Sequence, residues 1–244
     1  MFKFFNLSNY DIIKFWWTLK IKIYKYRRLL IANTFYIVRH GQTNWNILGK
    51  TQGHGNSDLT KKGIEQATEL ADSLAKNHKI DYIFSSDLGR AVQTANILGD
   101  SLGISVCETP ALREMGFGKW EGLLIDEIKM NYADIYNTWR NEPHLVEIPE
   151  GETLHIIKDR VDNFINELNK KYDNKHILLV THSVTVRVML LSFLNSGMEN
   201  IYRIKQDNTA LNIVEYRDYG PVIIKMNDTT HIKNNEKINN SALE

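Results

Sequence analysis

The stretch that most constrains this chain is Thr34-Phe35-Tyr36-Ile37-Val38-Arg39-His40-Gly41, an unbroken apolar run that ends in a cation, an imidazole and a glycine. Val, Ile and aromatic side chains in such a run suit a strand covered on both faces, the habit of parallel sheets. Ligands of those sheets gather beyond the C-terminal ends of the strands. Gly41 lets the backbone turn sharply and approach a ligand closely, which leaves Arg39 and His40 at a strand tip suited to a phosphate group.

Downstream, helical and strand periodicities alternate, which argues for a layered α/β sheet. A glycine-bearing loop over residues 41–59 precedes a helix capped by Thr60, with Ile64, Ala67, Ala71 and Leu74 on its apolar face. Asp81 to Phe84 is a short strand ending at Ser85-Ser86-Asp87. Ser86 or Asp87 is placed to cap the next helix, whose apolar face is Leu88, Ala91, Ala95, Leu98 and Leu102. Arg90 then falls in the first turn, and because long helical side chains lean toward the N-terminus it reaches back over the strand edge that carries His40.

Ile104 to Cys107 is a further strand, followed by Pro110 to Glu114 and a turn over Gly116–Gly122. One helix is expected from Ile125 to Trp139, another over Leu154–Leu168, a buried strand over His176–Thr181 and an apolar helix over Val184–Leu194. His182 and Ser183 follow the buried strand directly. Ala210–Tyr216 and Val222–Met226 form a closing hairpin, and residues 227–244 are expected to be disordered.

A chain of 244 residues is long enough for one α/β domain with a substantial core. Its net charge of +1 carries no electrostatic signature of a nucleic-acid partner. The single cysteine, Cys107, excludes an internal disulfide and a multi-cysteine metal site, fits a reducing, cytoplasmic setting, and is expected to pack in the core.

Residues 1–33 stand apart. They hold seven Lys or Arg against Asp11 alone, +6 in all, which leaves −5 for the rest, and Phe15-Trp16-Trp17 lies among them. This composition suits a basic aromatic helix on an anionic membrane surface, or an extension outside a domain whose translation starts near residue 30. Lysines interrupt it too often for a transmembrane span. Gly49-Lys50-Thr51 is not the end of a phosphate-binding P-loop, because that motif needs glycine where Asn44 stands.

Four blocks carry the chemistry: Arg39-His40-Gly41-Gln42-Thr43-Asn44-Trp45-Asn46, Ser85-Ser86-Asp87-Leu88-Gly89-Arg90-Ala91, Leu112-Arg113-Glu114-Met115-Gly116-Phe117-Gly118, and Val180-Thr181-His182-Ser183. In this order they resemble the histidine phosphatase superfamily, also called phosphoglycerate mutase-like, over residues 34–226. The resemblance implies a three-layer α/β/α sandwich with a mostly parallel central sheet. It also implies a phosphomonoester hydrolase that needs neither metal nor other cofactor and acts on a small phosphorylated metabolite.

The residue types fit that chemistry. A neutral imidazole is a competent nucleophile, so His40 can attack phosphorus and become a phosphohistidine. Arg39, Arg90 and His182 bind the phosphoryl oxygens, Arg through its forked donors. Glu114 is the candidate acid for the leaving alkoxide and base for water, since like-charge repulsion from a bound phosphate favours its protonated form. Asn46, Gln52, Gly53 and Ser183 match positions lining the phosphate pocket. Gly151-Glu152-Thr153 resembles a Gly-Glu-Ser block and equally suits a helix start.

Two positions depart from the pattern: Asn56-Ser57-Asp58-Leu59-Thr60 replaces the usual Asp-x-Pro-Leu-Thr, and Ser183 replaces a glycine. The block after Glu114 resembles the phosphatase branch. The alternatives are a cofactor-dependent phosphoglycerate mutase, with Lys119, Lys129 or Arg140 as cations for a carboxylate, and an inactive phosphoester-binding or interaction protein. The oligomeric state is left open.

Overall fold

The protein, seen here as a computed structural model, is described at Trp16, Trp17 and residues 33–233. The membrane-helix or extension reading of residues 1–33 and the tail from residue 234 lie essentially outside the described residues. In chain order the elements are β1 (Thr34–Arg39), α1 (Asn44–Leu48), α2 (Lys61–Asn77), β2 (Tyr82–Ser86), α3 (Gly89–Leu102) and β3 (Val106–Thr109). They continue with α4 (Ile125–Asn131), α5 (Ala133–Asn141), α6 (Leu154–Lys171), β4 (His176–Thr181), α7 (Ser183–Phe193), β5 (Leu211–Arg217) and β6 (Gly220–Asp228).

The six strands form one sheet in the order β3-β2-β4-β1-β5-β6. The first four are parallel, and β5 and β6 add an antiparallel edge. Side chains alternate across a strand, so each buried run feeds two cores. Phe35, Ile37, Ile177 and Leu179 pack on one face with residues of α4 to α7, including Trp139, Ile157 and Val188. Tyr36, Val38, Leu178 and Val180 pack on the other with Leu70 and Leu74 of α2 and Ala91, Ala95 and Leu98 of α3. Helices therefore cover both faces, giving the α/β/α layering. Leu70 and Leu74 are fully buried, each contributing about 1.5–3 kcal/mol relative to exposure.

Register decides the site. Arg39 pairs with Thr181 across the parallel β1/β4 ladder, and the His40 N–H donates to the Thr181 carbonyl at 2.9 Å. His40 and His182 are thus each one residue past neighbouring strand ends.

Several local expectations need correction. Ile64 is 48% exposed; α2 instead turns Gly63 and Gln66 inward, because Gly63 backs onto Gln42, whose carbonyl oxygen would lie 2.1 Å from an added Cβ. Neither Ser86 nor Asp87 caps α3: its cap is Leu88, which has no side-chain bond to give. The expected single helix over residues 125–139 breaks at Tyr132, whose φ of −138° and ψ of 41° leave helical space. The strand expected over 104–107 runs from Val106 to Thr109, and Cys107 on this edge strand is exposed rather than in the core. The loop over residues 41–59 contains α1, capped by Thr43. The closing strand runs on to Asp228, and His231 Nε2 lies 3.2 Å from Thr209 Oγ1, so the first residues of the expected tail are ordered. Among the described residues no helix is long and apolar enough to cross a membrane.

Candidate active site

An open cleft of about 510 Å³ lies beyond the C-terminal ends of the parallel strands, lined by Arg39, His40, Arg90 and Glu114 among others. His40 sits at its base, 3% exposed. Its Nδ1 is 2.7 Å from the Gly41 carbonyl, which can only accept, so Nδ1 carries the hydrogen. Its Nε2 accepts from Arg90 Nε at 3.2 Å, so the lone pair is on Nε2. The tautomer follows from these two partners.

Arg90 occupies the first turn of α3 and is 1% exposed. Of its other donors, Nη1 reaches the Gly55 carbonyl and Nη2 the Gly53 carbonyl, each at 2.8 Å. Gly53 holds its carbonyl there with a φ of +54°, and a Cβ on it would lie 2.1 Å from Glu121 Oε1. Burial lowers the Arg90 pKa to about 10, which still leaves it charged at neutral pH. Burial first, then Arg90 and Arg39, hold the His40 pKa well below 6.5. The same causes, with His40 added, depress His182. Both rings are therefore neutral where phosphate esters are dianions.

His182 is fully buried beside His40, with ring centroids 5.2 Å apart. Ser86 Oγ lies 2.8 Å from His182 Nε2 and also accepts the Leu88 N–H at 3.2 Å. With that acceptor position used, the Ser86 proton is free to go to Nε2. In that tautomer His182 Nδ1 carries a hydrogen, and Nδ1 is buried with no protein partner among the described residues. Sequence alone assigned Ser86 to helix capping and gave no sign of this contact.

Glu114 is buried, 7% exposed, and its carboxylate accepts from the Met115 N–H at 3.0 Å and from the Val184 and Thr185 N–H groups at 3.2 Å. Thr185 Oγ1 adds a fourth bond at 3.2 Å. The carboxyl group thus lies at the N-terminal end of α7. The loop that carries it is braced on its other side. His54 Nε2 donates to the Glu114 carbonyl at 2.9 Å, Arg160 Nη2 donates to the Arg113 carbonyl at 2.9 Å, and Glu152 accepts from the Gly116 N–H at 2.8 Å and from Arg160 Nη1 at 2.7 Å. The Gly151-Glu152-Thr153 block therefore does two jobs, since Thr153 also caps α6.

All the expected site residues except His182 line the cleft: Arg39, His40, Asn46, Gln52, Gly53, Arg90, Glu114 and Ser183. Asn46 Oδ1 accepts from the Thr43 N–H at 3.0 Å, closing a capping box on α1. Ser183 Oγ is buried without a protein partner among the described residues. The Asn56–Thr60 departure leaves the loop anchored, with Trp45 N–H donating to Ser57 Oγ at 3.1 Å and Leu59 N–H to Gln93 Oε1 at 3.1 Å.

Sequence reasoning missed the segment from Gln206 to Asn212, which carries no motif and acts through backbone groups and the Asn208 side chain. The Gln206 carbonyl accepts from Arg39 Nη1. Asn208 Nδ2 donates to the His40 carbonyl at 3.0 Å, and the Thr209 N–H is 3.1 Å from the Arg39 carbonyl. Thr209 has a φ of 54°, a cost of about 1–3 kcal/mol for a β-branched residue that the surrounding bonds must offset. The cleft also takes Lys50, Phe117, Trp139 and Arg187. Arg187 had a sequence signal, being the lone charge in the apolar run Val184–Leu194. Lys119, Lys129 and Arg140 do not line the cleft; the first two pair with Glu150 at 2.8 Å and Asp126 at 3.0 Å, and Arg140 lies over the Tyr202 ring. Among the described residues no group of three or more His, Cys, Asp or Glu side chains is placed to hold a metal ion.

Residues 35–229 match the family model described as histidine phosphatase superfamily (branch 1). Phosphoserine phosphatase 1 of Hydrogenobacter thermophilus is 32% identical over 196 residues, 80% of this chain and 92% of that protein. The "Probable phosphoglycerate mutase GpmB" of Yersinia pestis is 32% identical over 202 residues, 81% of this chain and 94% of its own length. Among solved structures, YhfR of Bacillus stearothermophilus superposes with a TM-score of 0.79 at 27% identity, covering 82% of this chain and 100% of that one.

Proposed function

The chain belongs to the histidine phosphatase superfamily, and from that membership we propose that it hydrolyses phosphomonoesters of small metabolites through a phosphohistidine on His40. The observation that carries this reading is the His40 ring, neutral, with its hydrogen on Nδ1 and its lone pair on Nε2 beside Arg90.

In the first step Nε2 forms a bond to phosphorus while the bond from phosphorus to the leaving oxygen breaks. Arg39, Arg90 and His182 take the charge of the phosphoryl oxygens, and Glu114 gives its proton to the leaving alkoxide. In the second step water attacks phosphorus, Glu114 takes the water proton, and the phosphorus–nitrogen bond breaks to release inorganic phosphate. Positioning and electrostatics supply most of such catalysis. We assign residues 34–226 as the catalytic domain, completed by the end of β6, and the surface thiol Cys107 suits a reducing, cytoplasmic setting.

Similarity to the Yersinia pestis protein supports a second reading, in which the phosphoryl group returns to a glycerate instead of to water. Phosphate release from a panel of phosphomonoesters, with and without bisphosphoglycerate, decides between the two. Hydrolysis without the additive is expected. Isomer exchange that depends on the additive makes the chain a mutase, and inactivity in both makes it a binding protein. His40→Ala is expected to abolish phosphate release, and full activity in that variant overturns the mechanism.

A further inference from the structure

We propose that Glu121 is a positioning residue for the phosphoryl site: one of its carboxylate oxygens fixes, through two backbone N–H groups, the loop that aims Arg90 at His40 and the loop that carries Glu114. The assignment deepens the hydrolase reading and rests on it.

Glu121 is half-buried and does not line the cleft. Its Oε1 accepts the His54 N–H at 2.8 Å and the Phe117 N–H at 3.0 Å. The first of these belongs to the Gly53–His54 peptide, whose carbonyl accepts from Arg90 Nη2 at 2.8 Å. That peptide is therefore held from both sides, by an anion at its N–H and by a cation at its carbonyl, and each bond polarises the other. Arg90 Nε in turn meets His40 Nε2 at 3.2 Å. The path from the Glu121 carboxylate to the nucleophile thus runs through one peptide and one guanidinium.

Gly53 makes such a restraint necessary. It stands at a φ of +54°, and a glycine has other conformations open to it, in which the peptide would turn its N–H toward Arg90 in place of the carbonyl. The missing Cβ also lets the carboxylate come close, since one on Gly53 would lie 2.1 Å from Oε1. The same oxygen reaches the acid loop, because Phe117 follows Glu114 by three residues. His54 Nε2 adds a second tie, to the Glu114 carbonyl at 2.9 Å. Backbone bonds from the Thr51 N–H to the Leu123 carbonyl at 3.0 Å and from the Gly122 N–H to the Thr51 carbonyl at 2.8 Å run the two segments side by side. Neither bond involves the Gly53–His54 peptide, so its orientation is left to Glu121 and Arg90. Glu121 also brings charge: burial, and then Arg39, lower the Arg90 pKa, while Glu114 and Glu121 raise it.

Two conservative variants separate acceptor geometry from charge. Glu121→Gln keeps an acceptor oxygen at the same reach and removes the charge, whereas Glu121→Asp keeps the charge and withdraws it by one methylene. On nitrophenyl phosphate, Glu121→Gln is expected to stay within about threefold of wild type in kcat/KM, and Glu121→Asp and Glu121→Ala to lose about tenfold to a hundredfold. The opposite order, with Glu121→Asp active and Glu121→Gln not, makes the residue a counter-charge to Arg90 and overturns the positioning role. In the Arg90→Lys background the further cost of Glu121→Ala is expected to shrink below about threefold, because both residues act along one path. The full cost in both backgrounds makes Glu121 a structural support only and overturns the assignment. Glu121→Asp takes the place of Glu121→Ala in that comparison should the alanine variant fail to fold. Titration calorimetry with inorganic phosphate reads the site without turnover. Weaker phosphate binding in Glu121→Asp but not in Glu121→Gln, with no hydrolysis by the wild type, sinks the hydrolase reading and leaves the positioning role standing. Hydrolysis by the wild type with equal activity in all three variants does the reverse.

Discussion

Arg90 Nε donates to His40 Nε2 across 3.2 Å, so the nitrogen assigned to attack phosphorus is held by the same guanidinium that reaches the Gly53 and Gly55 carbonyls. One side chain thereby fixes the nucleophile's direction and the shape of the loop beside it. An incoming phosphoryl group takes over the place of that bond at Nε2, and the arginine remains beside the charge that develops.

Arg90→Lys should therefore do more harm than its conserved charge suggests. An ammonium cannot meet His40 and two divergent carbonyls from one plane. A fall in kcat/KM of roughly a hundredfold or more is expected with nitrophenyl phosphate. A change below about threefold would show that the charge alone matters and the fork does not.

Glu114→Gln keeps a side chain that can bond to Thr185 but cannot deliver a proton to the leaving oxygen. Its kcat on alkyl phosphates should drop by about a hundredfold or more, and much less on nitrophenyl phosphate, whose leaving group hardly needs the proton. Steady-state rates on the two ester classes check this, and equal losses on both contradict the acid role.

Stability should decline as pH falls from 7 to 5. His40 and His182 have folded-state pKa values well below 6.5, and His78 and His231 are lowered too. Between those lowered values and 6.5 the unfolded chain binds more protons than the folded one, so stability is full above pH 6.5 and is lost on acidification. Each fully buried ring can contribute a slope of up to about 1.4 kcal/mol per pH unit. Depressed carboxylates such as Asp228, at about 2 against 3.8 unfolded, act only at lower pH. Tm followed across this range should fall, and His40→Asn should flatten the curve. A slope unchanged in that variant removes His40 from the account.

Gly41→Ala tests the backbone contact under the site. A Cβ at Gly41 would lie 2.5 Å from the Gly63 carbonyl oxygen, a rigid neighbour at the start of α2. A loss of about 1–3 kcal/mol is expected from urea unfolding, against a change within about 0.5 kcal/mol for Cys107→Ser on the exposed edge strand. A neutral Gly41→Ala would mean that the first turn of α2 moves freely away from β1.

The sequence by itself determined the central strands, the family and its chemistry, and it named most of the candidate residues that line the cleft. Unbroken apolar runs in Phe35–Val38 and Ile177–Val180 and the residue types at the strand ends need only local information, so Arg39, His40, Arg90, Glu114 and His182 were all legible as candidates. It also pointed to Arg187 through one charge in an apolar helix, a signal that goes unused without knowing which way the helix faces.

Tertiary structure decided what depends on register and on backbone groups. The β1/β4 pairing places His182 against His40, a proximity that two positions so far apart in the chain do not announce. Ile64 lost its inward place because Gly63 lets two backbones meet, and Tyr132 broke a helix whose periodicity ran through it. Ser86, Asn208 and Thr209 act on the site through one hydroxyl, one amide and one peptide N–H. Such contacts join residues up to 168 positions apart. They depend on where chain segments meet, which local propensity and hydrophobic period do not encode.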